Sequence, residues 1–128
     1  MGYTVLRPEQ QRFEKPSWRP DDPHRTIVEL PLLANLSHSR AHLWRYPPGG
    51  SGHRHREPTQ EEVFLVLEGT LTLELGDPAE TVELPPRGIA VVEPGTPLLV
   101  QNRGEQDVIV FVYGAPAVRD AELIETMW

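Results

Sequence analysis

From Thr26 to Tyr113 the chain alternates short apolar segments with turn residues. The pattern predicts strands at Thr26–Leu30, Arg40–Tyr46, Val63–Leu67, Thr70–Leu75, Thr81–Leu84, Ile89–Val92, Leu98–Gln101 and Val108–Tyr113. In the fourth, Leu71, Leu73 and Leu75 alternate with Thr70, Thr72 and Glu74, the period of a strand with one buried face. Val63–Leu67 is apolar throughout, which predicts a strand covered on both faces. Pro47-Pro48-Gly49-Gly50, Gly76-Asp77-Pro78, Pro85-Pro86-Arg87-Gly88, Glu93-Pro94-Gly95 and Asn102-Arg103-Gly104 mark turns. Many short strands with little helix predict an all-β sandwich, jelly roll or small barrel.

The two ends differ from this body. Residues 1–25 carry Pro8, Pro16, Pro20 and Pro23 and read as an irregular arm, with a short strand expected at Tyr3–Leu6. At the other end, residues 115–128 read as a helical tail: from Asp120 to Met127, a helix would place Leu123, Ile124 and Met127 on one face. The organisation expected is therefore an arm (1–25), a barrel (26–114) and a tail (115–128).

Composition narrows the class. A chain of 128 residues is expected to form one domain. Fourteen prolines punctuate it without reaching the proline-plus-glycine content of a disordered chain. Zero cysteines exclude disulfides and thiolate metal sites, and the net charge of −7 argues against a nucleic-acid partner. Eleven of the twelve basic residues are arginine, so Schiff-base chemistry is not expected. Neither a secretory leader nor a myristoylation signal is read at the start, and no apolar run approaches the roughly 18 residues of a membrane span. The expectation is a cytoplasmic protein with no membrane partner.

The chemistry concentrates in Gly49–His55 and Glu61–Gly69. All five histidines (His24, His38, His42, His53 and His55) lie in the first 55 residues. His53 and His55, at i and i+2 on a strand, share a face about 6.5–7 Å apart, a spacing at which two imidazoles can converge on one metal. A carboxylate from a neighbouring strand would complete a 2-His-1-carboxylate set with open positions. An isolated H-x-H beside a glycine-rich turn is more often surface decoration than a ligand pair, and Arg54 and Arg56 flank the pair on the opposite face.

These residues resemble the first motif of the cupin superfamily, G-x5-H-x-H-x3-4-E-x6-G: His53-x-His55 matches, and Glu62-x6-Gly69 matches with apolar filling. The second motif, G-x5-P-x-G-x2-H-x3-N, is present in altered form from Gly88 to Asn102, where Gly95-x2-Leu98-x3-Asn102 keeps the spacing. The resemblance covers Thr26 to Gly114 and implies a double-stranded β-helix (jelly-roll) barrel of the small single-domain type. It implies His53, His55 and Glu62 as ligands of a divalent transition metal (Fe, Mn, Zn or Ni). Leu98 stands where metal cupins usually place a third histidine, and six residues rather than three or four separate His55 from Glu62. His42 is an alternative third nitrogen, and a metal-free barrel is the alternative to any metal site. Glu61 competes with Glu62, while Glu57 in the longer loop is expected to be solvated, with a second carboxylate at the mouth as its other reading.

Strand alternation offers Trp44, Tyr46, Phe64, Leu98, Phe111 and Tyr113 as a pocket lining, with ordinary core packing as the competing reading. Arg45 and Arg87 are considered for a substrate carboxylate, and Glu57, Tyr46 and Tyr113 for a general base. Three functions stand open: a metal-binding cupin holding a small polar metabolite, a metal-dependent cupin enzyme (dioxygenase, isomerase or decarboxylase), and a metal-free structural or ligand-binding barrel. A homodimer is implied by the resemblance, with the arm and the tail as expected interface material.

Overall fold

The structure, a computed structural model, describes residues 2–125, with Glu125 described by its backbone only. The strands are β1 (Thr26–Glu29), β2 (Arg40–Tyr46), β3 (Arg54–Arg56), β4 (Glu61–Glu68), β5 (Leu71–Leu75), β6 (Glu80–Leu84), β7 (Ile89–Val92), β8 (Leu98–Gln101), β9 (Val108–Ala115) and β10 (Glu122–Glu125). A single helical turn, α1 (Leu30–Leu33), follows β1. They make two antiparallel sheets, ordered β1-β2-β9-β4-β7 and β10-β3-β8-β5-β6. After β2 the chain passes repeatedly between the sheets, so strands distant in sequence become neighbours. This is the expected all-β double-stranded β-helix.

One core joins the sheets. Ile27, Trp44, Tyr46, Phe64, Val66, Val108 and Val110 enter it from the first, and Leu71, Leu73, Leu98 and Val100 from the second. The turn after β4 needs Gly69: its φ of +76° is unfavourable for other residues, and an added Cβ would lie 2.5 Å from the Asp107 carbonyl. Asn102, the last residue of the second motif, is a turn clamp. Its buried amide donates to the carbonyls of Tyr46 (2.8 Å) and Gln106 (2.7 Å), and its oxygen accepts from the Gly104 N–H.

Three expectations are corrected. Residues 122–125 form strand β10 on β3, with Leu123 opposite His55, rather than part of a helix. The segment is too short for a stable helix by itself, and β3 offers an open edge whose backbone groups need partners. The remainder of that expected helix, residues 126–127, lies outside the described residues. The apolar run in β4 is covered on one face only: Phe64 and Val66 are buried, Val63 and Leu65 are half-buried, and Leu67 is exposed. No strand forms at Tyr3–Leu6. The arm is otherwise irregular as expected, yet it is tied to the barrel. Glu14 and Ile27 exchange backbone hydrogen bonds of 3.0 and 2.7 Å, and Ser17 donates twice to the buried Glu29 carboxylate.

Among the described residues no helix is long and apolar enough to cross a membrane.

Candidate metal centre and its cavity

A cavity of about 320 Å3 opens between the sheets. β2 presents one face to it, with Arg40, His42, Trp44 and Tyr46 spaced at i, i+2, i+4 and i+6. β3 contributes His55, β4 contributes Glu62 and Phe64, and the 57–60 loop contributes Glu57 and Gln60. Trp18 from the arm and Arg119 and Leu123 from the tail complete the mouth.

His55, Glu57 and Glu62 place one ligand atom each within 4.8 Å of one another. The His55 Nδ1 lies 2.8 Å from the His53 carbonyl. A carbonyl only accepts, so Nδ1 donates, and in the neutral ring the lone pair is on Nε2. That atom lies 3.2 Å from a Glu57 oxygen. Burial opposes the charged form of His55, but the Glu57 bond, the His53 carbonyl and the charges of both glutamates raise its pKa overall. Glu62 is pushed up to about 7 by burial and by the Glu57 charge, against the opposing pull of His55 and Arg40. Glu57 Oε1 and Glu62 Oε1 are buried with no hydrogen-bond partner. Two crowded carboxylates with free oxygens, beside an imidazole whose second nitrogen is already oriented, fit a divalent cation.

Glu57 is the member of this cluster that the sequence suggests is solvated, with a second carboxylate at the mouth as its other reading. It is buried, not solvated, because the loop is pinned around it. Its carbonyl accepts from the Gly95 N–H (2.8 Å), Gln60 donates to the Pro116 carbonyl (2.9 Å), and Thr59 donates to Asp120 (2.8 Å). Gly114 leaves the space for Gln60, whose side chain occupies the position a Cβ would take. The extra residues between His55 and Glu62 therefore fold a second carboxylate inward.

His53 lines the cavity but is not among the three clustered groups. Its Nε2 lies 2.7 Å from the Arg19 guanidinium. Arginine only donates, so this nitrogen accepts and its lone pair is occupied. Burial and the charges of Arg19 and Arg25 lower its pKa. His42 is also outside the cluster. Neither ring nitrogen has a hydrogen-bond partner, and burial with Arg40, Arg119 and Arg25 nearby drives its pKa down to about 4.

Of the expected lining, Trp44, Tyr46 and Phe64 face the cavity. Phe111 and Tyr113 do not: alternation along β9 turns them to the outer surface, and Val112 and Gly114 face inward instead. Leu98 lies wholly buried in the core opposite His55, with Val100 rather than Leu98 at the cavity wall. Arg45 is turned outward onto Phe13 and Asp107, and Arg87 is exposed in a turn. Arg40 was within reach of sequence reasoning, since extending the β2 alternation by one step includes it. Trp18 was not, because the arm has no periodicity.

The fold is shared with solved structures. A sugar phosphate isomerase of the cupin superfamily from Silicibacter pomeroyi superposes with a TM-score of 0.77 at 21% identity, covering 96% of this chain and 83% of that one. The polyketide cyclase RemF from Streptomyces resistomycificus gives 0.82 at 18% identity, covering 97% and 87%. KdgF from Halomonas sp. gives 0.73 at 16% identity, covering 90% and 96%. No curated protein matches the chain. The family model for the cupin domain matches residues 42–114, more than half of the 128 residues, and the protein belongs to the cupin family.

Proposed function

We propose that this protein is a small metal-binding cupin that holds a divalent transition metal on His55, Glu57 and Glu62 and receives a small polar metabolite in the cavity. The observation that carries this reading is the pair of buried, unpartnered carboxylate oxygens beside an imidazole already oriented by a carbonyl. His53 then acts behind the centre, its carbonyl orienting His55 and its ring seated on Arg19. Leu98 takes no part in ligation; it fills the core where a histidine is expected.

Catalysis in the same cavity is a second reading, favoured by His42. A metal there would supply Lewis-acid polarisation of a bound oxygen. His42, kept neutral and without a hydrogen-bond partner, would offer one nitrogen as acceptor and the other as donor to the bound molecule. The isomerase and cyclase neighbours are compatible with such a role. We also propose a cytoplasmic homodimer that pairs through the apolar outer face of the first sheet. The lack of cysteine suits a reducing compartment.

Elemental analysis and calorimetric titration with Mn2+ or Zn2+ test the metal reading. One ion per chain is expected. Affinity should fall at least tenfold in each of His55→Ala, Glu57→Ala and Glu62→Ala, while His53→Ala has the smaller effect of a positioning residue. A chain that takes up no metal, with all four variants behaving alike, would falsify it.

A further inference from the structure

The cavity sets Arg40 and Arg119 beside the two carboxylates that a metal would occupy. Arg40 forms no ion pair among the described residues, and its Nε is buried with no hydrogen-bond partner. Burial and the like charge of Arg119 lower its pKa against the pull of Glu57, Glu62 and Glu29. Arg119 lines the same cavity, 5.7 Å above the Trp18 ring. Arg25 differs, because Asp22 neutralises it at 2.9 Å. Glu57, Glu62 and Glu29 attract Arg40 in the metal-free protein, and an ion held by Glu57 and Glu62 would compete for two of these groups. A half-buried guanidinium with an unpartnered Nε, beside the exposed Arg119 at the cavity, suits an anionic partner.

The remaining wall is aromatic. Trp18 stands edge-on to Trp44, with centroids 5.9 Å apart and planes at 83°, and His42 lies 6.1 Å from Trp18 and 6.2 Å from Trp44. Rings set at such angles offer both faces and edges to a flat guest. A volume of about 320 Å3 is at the lower end of small-molecule pockets and suits a single-ring ligand.

We propose that the metal-loaded cavity takes a small arene carboxylate, with its carboxylate toward Arg40 and Arg119 and its ring against Trp18, His42 and Trp44. This rests on the metal reading above, since the bound ion would draw Glu57 and Glu62 away from Arg40. It specifies the chemical class that the general reading leaves open: planar, aromatic and anionic.

Calorimetry on one preparation separates the two readings. Mn2+ is titrated first into metal-free protein; benzoate, benzamide and cyclohexanecarboxylate are then titrated into the loaded protein. Benzoate is expected to bind at least about tenfold tighter than benzamide, which keeps the ring and lacks the charge, and several-fold tighter than cyclohexanecarboxylate, which keeps the charge and lacks the ring. Benzoate should also change tryptophan fluorescence. Arg40→Met should remove the preference over benzamide, and Arg119→Gln should reduce it, with Mn2+ affinity retained or raised in both. If Mn2+ binds but benzoate and benzamide bind alike or not at all, the arene carboxylate proposal is overturned and the metal reading stands. If cyclohexanecarboxylate equals benzoate, the aromatic half of the proposal is overturned. If Mn2+ does not bind, the metal reading fails and takes this proposal with it. Should Arg40→Met not fold, the three ligands on the unaltered protein still decide.

Discussion

Glu62 and His42 face one cavity with opposite protonation preferences. Glu62 is raised to about 7, so in the folded state it holds its proton more tightly than in the unfolded chain. Its contribution to stability is full below its ordinary value of 4.5 and is lost as pH rises through about 7. His42 is lowered to about 4, so its contribution is present above 6.5 and is lost as pH falls through about 4. The two slopes oppose each other between these limits, and the variant Glu62→Gln separates them. With chelator present, denaturant unfolding should find Glu62→Gln equal to the unaltered protein at pH 4. At pH 8 the variant should be more stable by on the order of 3 kcal/mol, the free energy that accompanies a shift of this size. Equal stabilities at both pH values would show that Glu62 is not strained by ionisation. Added Mn2+ should reverse the order at pH 8, because the carboxylate ligates a divalent ion more strongly than the neutral amide oxygen of Gln does.

At the scale of elements, the site depends on β3, a three-residue strand carrying His55 between two unequal neighbours. β8 pairs with it at Leu98, in the core, while β10 closes its other side from the chain end. Among the described residues β10 contributes nothing to the buried core, yet Leu123 lines the cavity mouth. Leu123→Pro removes a backbone donor and should detach β10 without unfolding the barrel. We expect the melting temperature to fall by only a few degrees, as a loss of about 1 kcal/mol would produce. The rate of His55 modification by diethyl pyrocarbonate should rise several-fold. A large loss of melting temperature with no change in that rate would make β10 a structural strand rather than a cover. The spacing of Leu123 and Ile124 suggests a helix, but the open edge of β3 takes residues 122–125 as a strand. A single sequence does not show that edge, because it exists only after β3 has left the first sheet.

At the scale of the whole molecule, the outer face of the first sheet carries exposed apolar side chains towards β7 among the described residues. On the outside of the first sheet, cross-strand register aligns Leu43, Phe111, Leu65 and Ile89 in one row and Tyr113, Val63 and Val91 in another. Ile89 and Val91 are 60% and 68% exposed on edge strand β7. Apolar rows of this extent beside an open edge are typical interaction surfaces. Sedimentation should give twice the chain mass of 14.5 kDa, and Val91→Arg should return it to the single mass without lowering the melting temperature by more than about 4 °C. A single-chain mass for the unaltered protein would remove the dimer proposal. The position of this face explains Phe111 and Tyr113, whose aromatic character suggested a pocket: alternation identifies two faces of a strand but not which faces the core. The same applies to the apolar run of β4, which is buried on one side only. By itself the sequence determined the strand-rich fold, the placement of turns and the family motif. Period-two patterning and glycine and proline chemistry are local, and they act the same way wherever the strand is packed. It also singled out His53, His55 and Glu62, with His42 as an alternative, of which His55 and Glu62 fall in the cluster. Tertiary structure decided the company they keep. The pinned loop turned Glu57 inward, the arm set Arg19 against His53, and the sheet crossing gathered Arg40, Arg119 and Trp18 around one cavity. Those contacts join residues far apart in the chain, and they depend on burial and on which groups remain unpartnered after folding.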